Sequence, residues 1–231
     1  MDASSNSIYH FTNFNGLKGI LASGFETNYC NEYLVFKDLT IDVAFPMISF
    51  SDIPLNMAKK SILNYGDCGI GLTKEWAITN KLNPVLYVET NSIVSEILKF
   101  QNYRVKPSEQ YDSSAPSLEH WNLLAFIKNY EGKLIRKGGL EQDRYRFYDE
   151  REWRFVPTRD MVSGKANNFK GKYYRDERQS LKEYDFVLNF SPSDVSQLIV
   201  DNQENRISIE KTIKQYFPKS YDDLCAKICS Y

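Results

Sequence analysis

Two residues suited to ligand binding stand close together near the start of the chain, in the stretch SIYHFTNFNGLKGILASGF. His10 and Thr12 are two residues apart, so on a β-strand their side chains lie on the same face. The helix predicted to follow begins near Asn13 or Asn15, and a helix N-terminus attracts anionic groups. We expect His10 and Thr12 to hold the ribose or amide of a polar ligand while the helix receives a phosphate. The alternative is an ordinary half-buried imidazole bonded to the backbone.

The candidate catalytic group is a carboxylate in the stretch DEREWRFVP. Alternation places Glu152 and Arg154 on one face of a predicted strand, and Trp153 and Phe155 on the other. Burial of the two aromatic rings would anchor the strand and so fix Glu152, as a catalytic carboxylate requires. Arg151 or Arg154 is expected to orient this carboxylate or to bind phosphate with two hydrogen bonds. The neighbouring charges also fit a solvated surface cluster.

A glycine-containing stretch, YGDCGIGLT (65–73), leaves two interpretations open. Its glycines at 66, 69 and 71 do not have the spacing of a P-loop or of a dinucleotide-binding fingerprint. Either the glycines allow close packing against a neighbouring strand, or they let a ligand lie against the backbone. Lys74, at the end of this strand, is a candidate phosphate contact.

Composition and charge restrict the class of protein. The 231 residues include 29 basic and 30 acidic side chains, which argues against a general nucleic-acid coat protein. With no signal peptide and no apolar run of about 20 residues, we expect a cytoplasmic protein without a membrane span. Cys225 and Cys229 have helical i,i+4 spacing but no second ligand pair, so we expect reduced thiols and no metal site.

The order of predicted elements indicates one α+β domain over residues 1–231. Strands are predicted at 7–12, 68–73, 83–89 and 197–201. Residues 118–135 are predicted as a core-facing helix carrying Trp121, Leu124 and Ile127. The chain is expected to close with helices over 208–217 and 222–229. The stretches 104–117 and 159–183 are expected to be exposed loops.

These motifs carry two family resemblances. YHFTNFNGLKGILASGF is similar to the first motif of the ADP-ribosyltransferase fold of the diphtheria-toxin/PARP type, and especially to the opening of the DarT-like DNA ADP-ribosyltransferases. Across most of the chain, the series YHFT, ISFSDIPL, YGDCGIGLTKEWA, NPVLYV and EREWRF resembles the AbiGi family of abortive phage infection proteins, which are described as antitoxins.

The transferase resemblance implies an ADP-ribosyltransferase-like split mixed/antiparallel sheet with flanking helices, and NAD as cofactor. It assigns His10 and Thr12 to the nicotinamide ribose. It assigns Glu152 to stabilisation of the cation-like transition state. From its place beside Glu152, we expect Arg154 to bind the cofactor. The ADP-ribose would pass to a nucleic-acid or protein acceptor. An aromatic ring is expected to stack on nicotinamide, with Tyr65 as the first choice.

Two rivals for that stacking ring are Tyr29 and Phe50. The AbiGi resemblance implies a role in phage defence. It also implies the alternative function, a non-enzymatic antitoxin that uses the same fold as a scaffold to control a cognate toxin. The sequence does not decide between an enzyme and a non-enzymatic antitoxin.

Overall fold

The computed structural model describes residues 6–58, 65–103, 123–135, 141–158 and 187–230. The strands are β1 (Ser7–Thr12), β2 (Phe25–Glu26), β3 (Asn28–Phe36), β4 (Leu39–Ser51), β5 (Cys68–Thr73), β6 (Asn83–Pro84), β7 (Leu86–Val88), β8 (Ile127–Asn129), β9 (Gly132–Ile135), β10 (Glu141–Tyr145), β11 (Glu152–Phe155), β12 (Val187–Leu188), β13 (Val195–Val200) and β14 (Ile228–Ser230). The α-helices are α1 (Phe14–Ser23), α2 (Lys74–Thr79), α3 (Ile93–Tyr103), α4 (Gln203–Tyr216) and α5 (Tyr221–Ala226). Short 3-10 turns lie at Leu55–Met57, Phe147–Glu150 and Pro218–Ser220.

The largest sheet has eight strands in the order β14-β13-β5-β1-β4-β11-β6, with β3 paired to β4 beside this path. Its pairs are antiparallel except β13 with β14, which is parallel. Two-stranded pairs form between β9 and β10, β2 and β12, and β7 and β8. This mixed sheet with flanking helices confirms the α+β class.

The sheet opens beside the long strand β4. The first part of β4 pairs with β3 as far as Met47, and its last residues, from Ile48 to Ser51, pair with β11. β1 pairs with β4 only between Tyr9 and Ser51. β1 therefore separates from β4 after one residue pair, and the sheet is open where β1 and β3 diverge.

The two largest of three apolar clusters in the described part of the chain pack against the strands of this sheet. The larger one packs the sheet against α1, α4 and α5, and it includes Ile8, Leu17, Ile70, Leu198 and Ile213. The smaller one packs the β3–β4 hairpin against α3, β8 and the residues before β8, and it includes Phe36, Phe45, Leu98, Leu124 and Ile127. Both cores bury aliphatic and aromatic side chains, whose removal from water is the main favourable term in folding.

The β1–α1 corner has the predicted local structure. The Asn13 side chain accepts a hydrogen bond from the Gly16 N–H at 2.8 Å and caps the helix. Gly24 ends the helix with φ of 79°, and its N–H donates to the Ile20 carbonyl. The strand at 68–73 is also confirmed as β5.

The predicted helix over 118–135 is wrong in its second half. Ile127 lies on β8 and residues 132–135 form β9, because Ile127 and Asn129 are buried between β3 and β7. The Asn129 amide bonds both the N–H and the carbonyl of Val35, and in this way it joins β8 to β3. Trp121 and the predicted loops at 104–117 and 159–183 lie outside the described residues.

The closing segment also differs from its prediction. Cys225 lies on α5, whereas Cys229 lies on β14 after the chain leaves the helix. The two thiols therefore do not share a helix face. None of the helices in the described ranges is long and apolar enough to cross a membrane.

Candidate functional site

A cavity of about 770 Å³ occupies the opening of the sheet. Its walls come from β1, α1, β3, β4, β8 and the turn before β11. Four residues chosen from the sequence line it together: His10, Thr12, Tyr65 and Glu152. The volume falls in the range of about 300 to 1,000 Å³ that is typical of small-molecule sites.

His10 bridges the gap where β1 has left β4. Its Nδ1 lies 2.8 Å from the Ser49 carbonyl oxygen. Because a carbonyl only accepts, Nδ1 carries the proton, and in the neutral ring Nε2 is an acceptor. The ring stands edge-on to Phe25 and Phe50, at centroid distances of 5.4 and 5.6 Å. Burial lowers the pKa of His10, and the hydrogen bond to Ser49 opposes this only in part.

Two glycines make room for Thr12 at the same end of the cavity. A Cβ at Gly16 would lie 2.2 Å from the Thr12 hydroxyl oxygen. A Cβ at Gly66, whose φ is 131°, would lie 2.4 Å from the Thr12 carbonyl carbon and oxygen. The segment carrying Tyr65 can therefore pack against the end of β1 only with glycine at 66.

Glu152 is fixed by hydrogen bonds to both carboxylate oxygens. Oε1 accepts from the Ser49 hydroxyl at 2.6 Å and from Arg154 Nε at 2.8 Å. Oε2 accepts from Lys128 Nζ at 2.8 Å and from a terminal nitrogen of Arg154 at 3.0 Å. The backbone N–H of Glu152 donates to the Tyr87 hydroxyl. A carboxylate held in this way is both rigid and ionised.

Arg154 lies behind Glu152 rather than at the cavity wall. Its side chain is fully buried, and besides Glu152 it donates to Glu32 and to the carbonyls of Ala125 and Ile127. With its guanidinium directed to protein acceptors, Arg154 orients Glu152. The expected direct contact of Arg154 with a cofactor phosphate is not compatible with this burial.

A second carboxylate stands beside Glu152. Glu150 accepts hydrogen bonds from Lys128 at 3.0 Å, from the Tyr65 hydroxyl at 3.0 Å and from the Tyr145 hydroxyl at 3.1 Å. Arg151, between the two glutamates, adopts the left-handed conformation with φ of 44°. This backbone turn joins the 3-10 segment to β11 and brings both carboxylates to Lys128.

The charges of this cluster determine its protonation. Burial by itself raises the pKa of Glu152, but Arg154 and Lys128 outweigh it and hold that pKa well below its ordinary value. Burial raises the pKa of Glu32, which Arg154 and Lys128 offset only in part. Burial lowers the pKa of Lys128, but Glu152, Glu150 and Glu32 together raise it well above the ordinary value.

The other residues chosen from the sequence are distributed around the cavity or away from it. Tyr65 and its rival Phe50 both line the cavity, whereas Tyr29 is buried in the protein. Lys74 forms an ion pair with Asp52 at 2.8 Å and lies over the Trp153 ring. Among the described residues, Lys74 is not one of those that line the cavity.

The glycines of β5 serve close packing. A Cβ at Gly71 would lie 2.7 Å from both the Tyr9 ring and the Ser196 hydroxyl. A Cβ at Gly69 would lie about 3 Å from the His10 carbonyl and the Phe11 ring. The packing interpretation of this strand therefore holds, since neighbouring atoms already fill the space beside each glycine.

Sequence reasoning missed four polar residues of the site: Ser49, Glu32, Lys128 and Glu150. Lys128 was hidden in the predicted helix, and Glu150 in a charge cluster read as surface. One signal is present, because the glycine in FIKNYEGKLI interrupts the helical pattern, and the structure has two short strands here that pair with β7 and β10. Ser49 and Glu32 gave no comparable signal.

Comparison with known proteins identifies the family to which the chain belongs. A family model described as "Putative abortive phage resistance protein AbiGi, antitoxin" matches residues 24–201. The chain is 28% identical over 200 residues to the "Abortive phage resistance protein AbiGi" of Lactococcus lactis subsp. cremoris, an alignment that covers 74% of this chain and 77% of that protein. No solved structure matches the chain. The ADP-ribosyltransferase-like fold therefore stays a prediction. Glu152 lies inside the matched residues, whereas His10 and Thr12 precede them.

Proposed function

Because this chain belongs to the AbiGi family of abortive phage resistance proteins, we propose that it acts in phage defence, in the cytoplasm, by binding NAD and transferring ADP-ribose. The acceptor is a nucleic acid or a protein. One observation carries the proposal: His10, Thr12 and Glu152, from distant parts of the sequence, line one cavity of small-molecule size. Of this proposal, the family description supports the role in phage defence, and the chemistry rests on the cavity.

The reaction needs a fixed negative charge beside the ribose. As the bond between nicotinamide and ribose C1′ breaks, nicotinamide leaves with the electron pair and positive charge develops on the sugar. The acceptor then forms a bond to C1′ and releases its proton to solvent. Glu152, held by Ser49, Lys128 and Arg154, is placed to stabilise the developing charge without reorganising.

The opposite end of the cavity supplies binding. The neutral His10 ring offers Nε2 as an acceptor for a ribose hydroxyl, and the Thr12 hydroxyl adds a second polar contact. Tyr65, tied to Glu150, or Phe50 offers a ring on which nicotinamide can stack. Together these contacts would orient the scissile bond toward Glu152.

The first test is NAD binding by calorimetry together with nicotinamide release. His10→Ala should weaken binding about tenfold, the value of one hydrogen bond. Glu152→Gln should leave binding within about threefold but slow nicotinamide release about 100-fold or more. Lys37→Met removes an exposed lysine outside the cavity and serves as the control. Absence of saturable binding at millimolar NAD would refute the proposal.

A second candidate function is a non-enzymatic antitoxin that controls a cognate toxin. The matched family model carries the word antitoxin in its description. In addition, α3 exposes an apolar face formed by Ile93, Val94, Ile97 and Phe100, a feature typical of a protein contact.

Two variants separate the two functions in a toxin-rescue growth assay. An antitoxin should tolerate Glu152→Gln and lose rescue with Phe100→Asp. A transferase should lose phage defence with Glu152→Gln and keep it with Phe100→Asp. Matched expression levels, confirmed by immunoblot, are required before either result is compared.

A further inference from the structure

Two carboxylates hold Lys128 at the wall of the cavity. Its ammonium lies 3.0 Å from Glu150 Oε2 and 2.8 Å from Glu152 Oε2, and it also faces the Phe147 ring at 5.1 Å. The side chain is only 12% exposed. It comes from β8, a different part of the chain from the two glutamates. A single, partly buried cation therefore joins two carboxylates at the cavity wall.

The bridge has an electrostatic consequence for the two carboxylates. The two Oε2 atoms can be no more than about 6 Å apart, because one ammonium contacts both. At that separation in a site of low dielectric, two carboxylates do not both stay ionised without a counter-charge. Arg154 is already shared between Glu152 and Glu32, whereas Lys128 donates to both Glu150 and Glu152.

Other groups of the described residues also surround the bridge. Glu32 from β3 adds a third carboxylate, and the Tyr65 and Tyr145 hydroxyls donate to Glu150. Tyr87 from β7 accepts from the Glu152 N–H, and its hydroxyl is neutral. With all carboxylates ionised, the cluster of Glu32, Glu150, Glu152, Lys128 and Arg154 has a net charge of −1, which becomes −2 without Lys128.

We propose that Lys128 is a positioning residue of this site: its bridge to Glu150 and Glu152 keeps the Glu152 carboxylate ionised and thereby sets the lowest pH at which the site works. The ionisation itself does not depend on the transfer reaction. Only its consequence for the reaction rate rests on the proposed function.

The test compares four variants with the wild type: Lys128→Met, Lys128→Arg, the double variant Lys128→Met with Glu150→Gln, and Lys37→Met. Carbon-13 NMR follows the side-chain carboxyl of Glu152 during a pH titration, with its signal assigned from Glu152→Gln. Lys128→Met should shift protonation of this carboxyl to a higher pH. Lys128→Arg and the double variant, which restores the charge balance, should both return it toward the wild type.

The pH profile of nicotinamide release gives the second measurement. In Lys128→Met the rate should fall about tenfold per pH unit on the acid side, at a pH where the wild type is unaffected. An unchanged Glu152 titration in folded Lys128→Met would overturn the inference. If Lys128→Met does not fold, the double variant and Lys128→Arg decide it: loss of the low-pH ionisation in Lys128→Arg would also overturn it. Absence of turnover in the wild type would refute only the proposed function, because the titration remains decisive.

Discussion

The two ends of the cavity are built in different ways. The end formed by β1 and α1 uses residues close in sequence: His10, Thr12 and the Asn13 cap. Its polar groups are neutral, and they are held by backbone bonds and by glycines that leave space. The end around Glu152 is ionic and assembles side chains from β3, β4, β8 and β11.

The two ends are therefore sensitive to different kinds of substitution. The neutral end depends on backbone geometry, so a single added methyl group can displace it. The ionic end depends on every partner being present, because removing one leaves a buried charge uncompensated. The family model covers the ionic end, whereas His10, Thr12 and Asn13 precede its match, which begins at residue 24. The following predictions test this contrast.

The largest effect is expected from loss of the buried guanidinium. Arg154→Met leaves Glu152 and Glu32 without their shared cation and should lower the free energy of unfolding by about 3 to 5 kcal/mol in urea denaturation. Arg206→Met removes a more exposed pair with Glu210 and should cost less than about 1 kcal/mol. Equal losses in the two variants would contradict an ionic end that depends on complete pairing.

Alanine substitutions at two glycines test the neutral end. Gly66→Ala forces a Cβ against the Thr12 backbone at positive φ and should destabilise the protein by about 2 kcal/mol or more. Gly19 lies inside α1, and a Cβ added there would meet no neighbouring atom within 4 Å. Gly19→Ala should therefore stabilise the protein by about 0.5 to 1 kcal/mol. Thermal unfolding gives both values, and the same sign for both would refute the backbone argument.

Acid sensitivity should belong to the ionic end. The pKa of Glu152 is depressed in the folded protein, so its contribution to stability is present above the ordinary value of 4.5 and is lost as the pH falls below it. This loss amounts to at most about 1.4 kcal/mol per pH unit for one proton. Glu152→Gln should reduce the loss of unfolding free energy between about pH 5 and about pH 3. Glu96→Gln, at an exposed pair with Lys37, should leave it unchanged in high salt.

The smallest effect is expected from His10 at a higher pH. Its folded pKa lies below the ordinary 6.5, so the unfolded chain binds the proton more readily. The stability from neutral His10 is therefore complete above 6.5 and declines as the pH falls below it. His10→Gln should remove that decline, which we expect to be below about 1 kcal/mol. Proton NMR of the His10 ring measures its pKa directly, and a value above 6.5 would contradict the prediction.

The residues that sequence reasoning placed well share one property. The strand at 7–12, the Asn13 cap, the glycine stop at 24 and the alternation around Glu152 all follow from neighbours within a few positions. Trp153 and Phe155 do pack against the main core, as alternation predicts. The opposite face of that strand is buried as well, which alternation alone could not show.

Lys128 illustrates the limit. Its segment has apolar residues at helical spacing, and the same residues also suit a short strand beside a glycine turn. Burial against β3 favours the strand over the helix, because the Asn129 amide then completes the hydrogen bonds of Val35. That partner is 94 residues away in sequence.

Spacing and capping act between near neighbours, so the α+β class, the β1–α1 corner, the His10–Thr12 pair and the strand that carries Glu152 could be predicted from the residues alone. The orientation of Glu152 by Arg154, and the contribution of Lys128, Glu32 and Ser49 to the site, depend on the tertiary structure. These contacts join segments far apart in sequence. Their formation depends on how the sheet opens between β1 and β3, which no local pattern records.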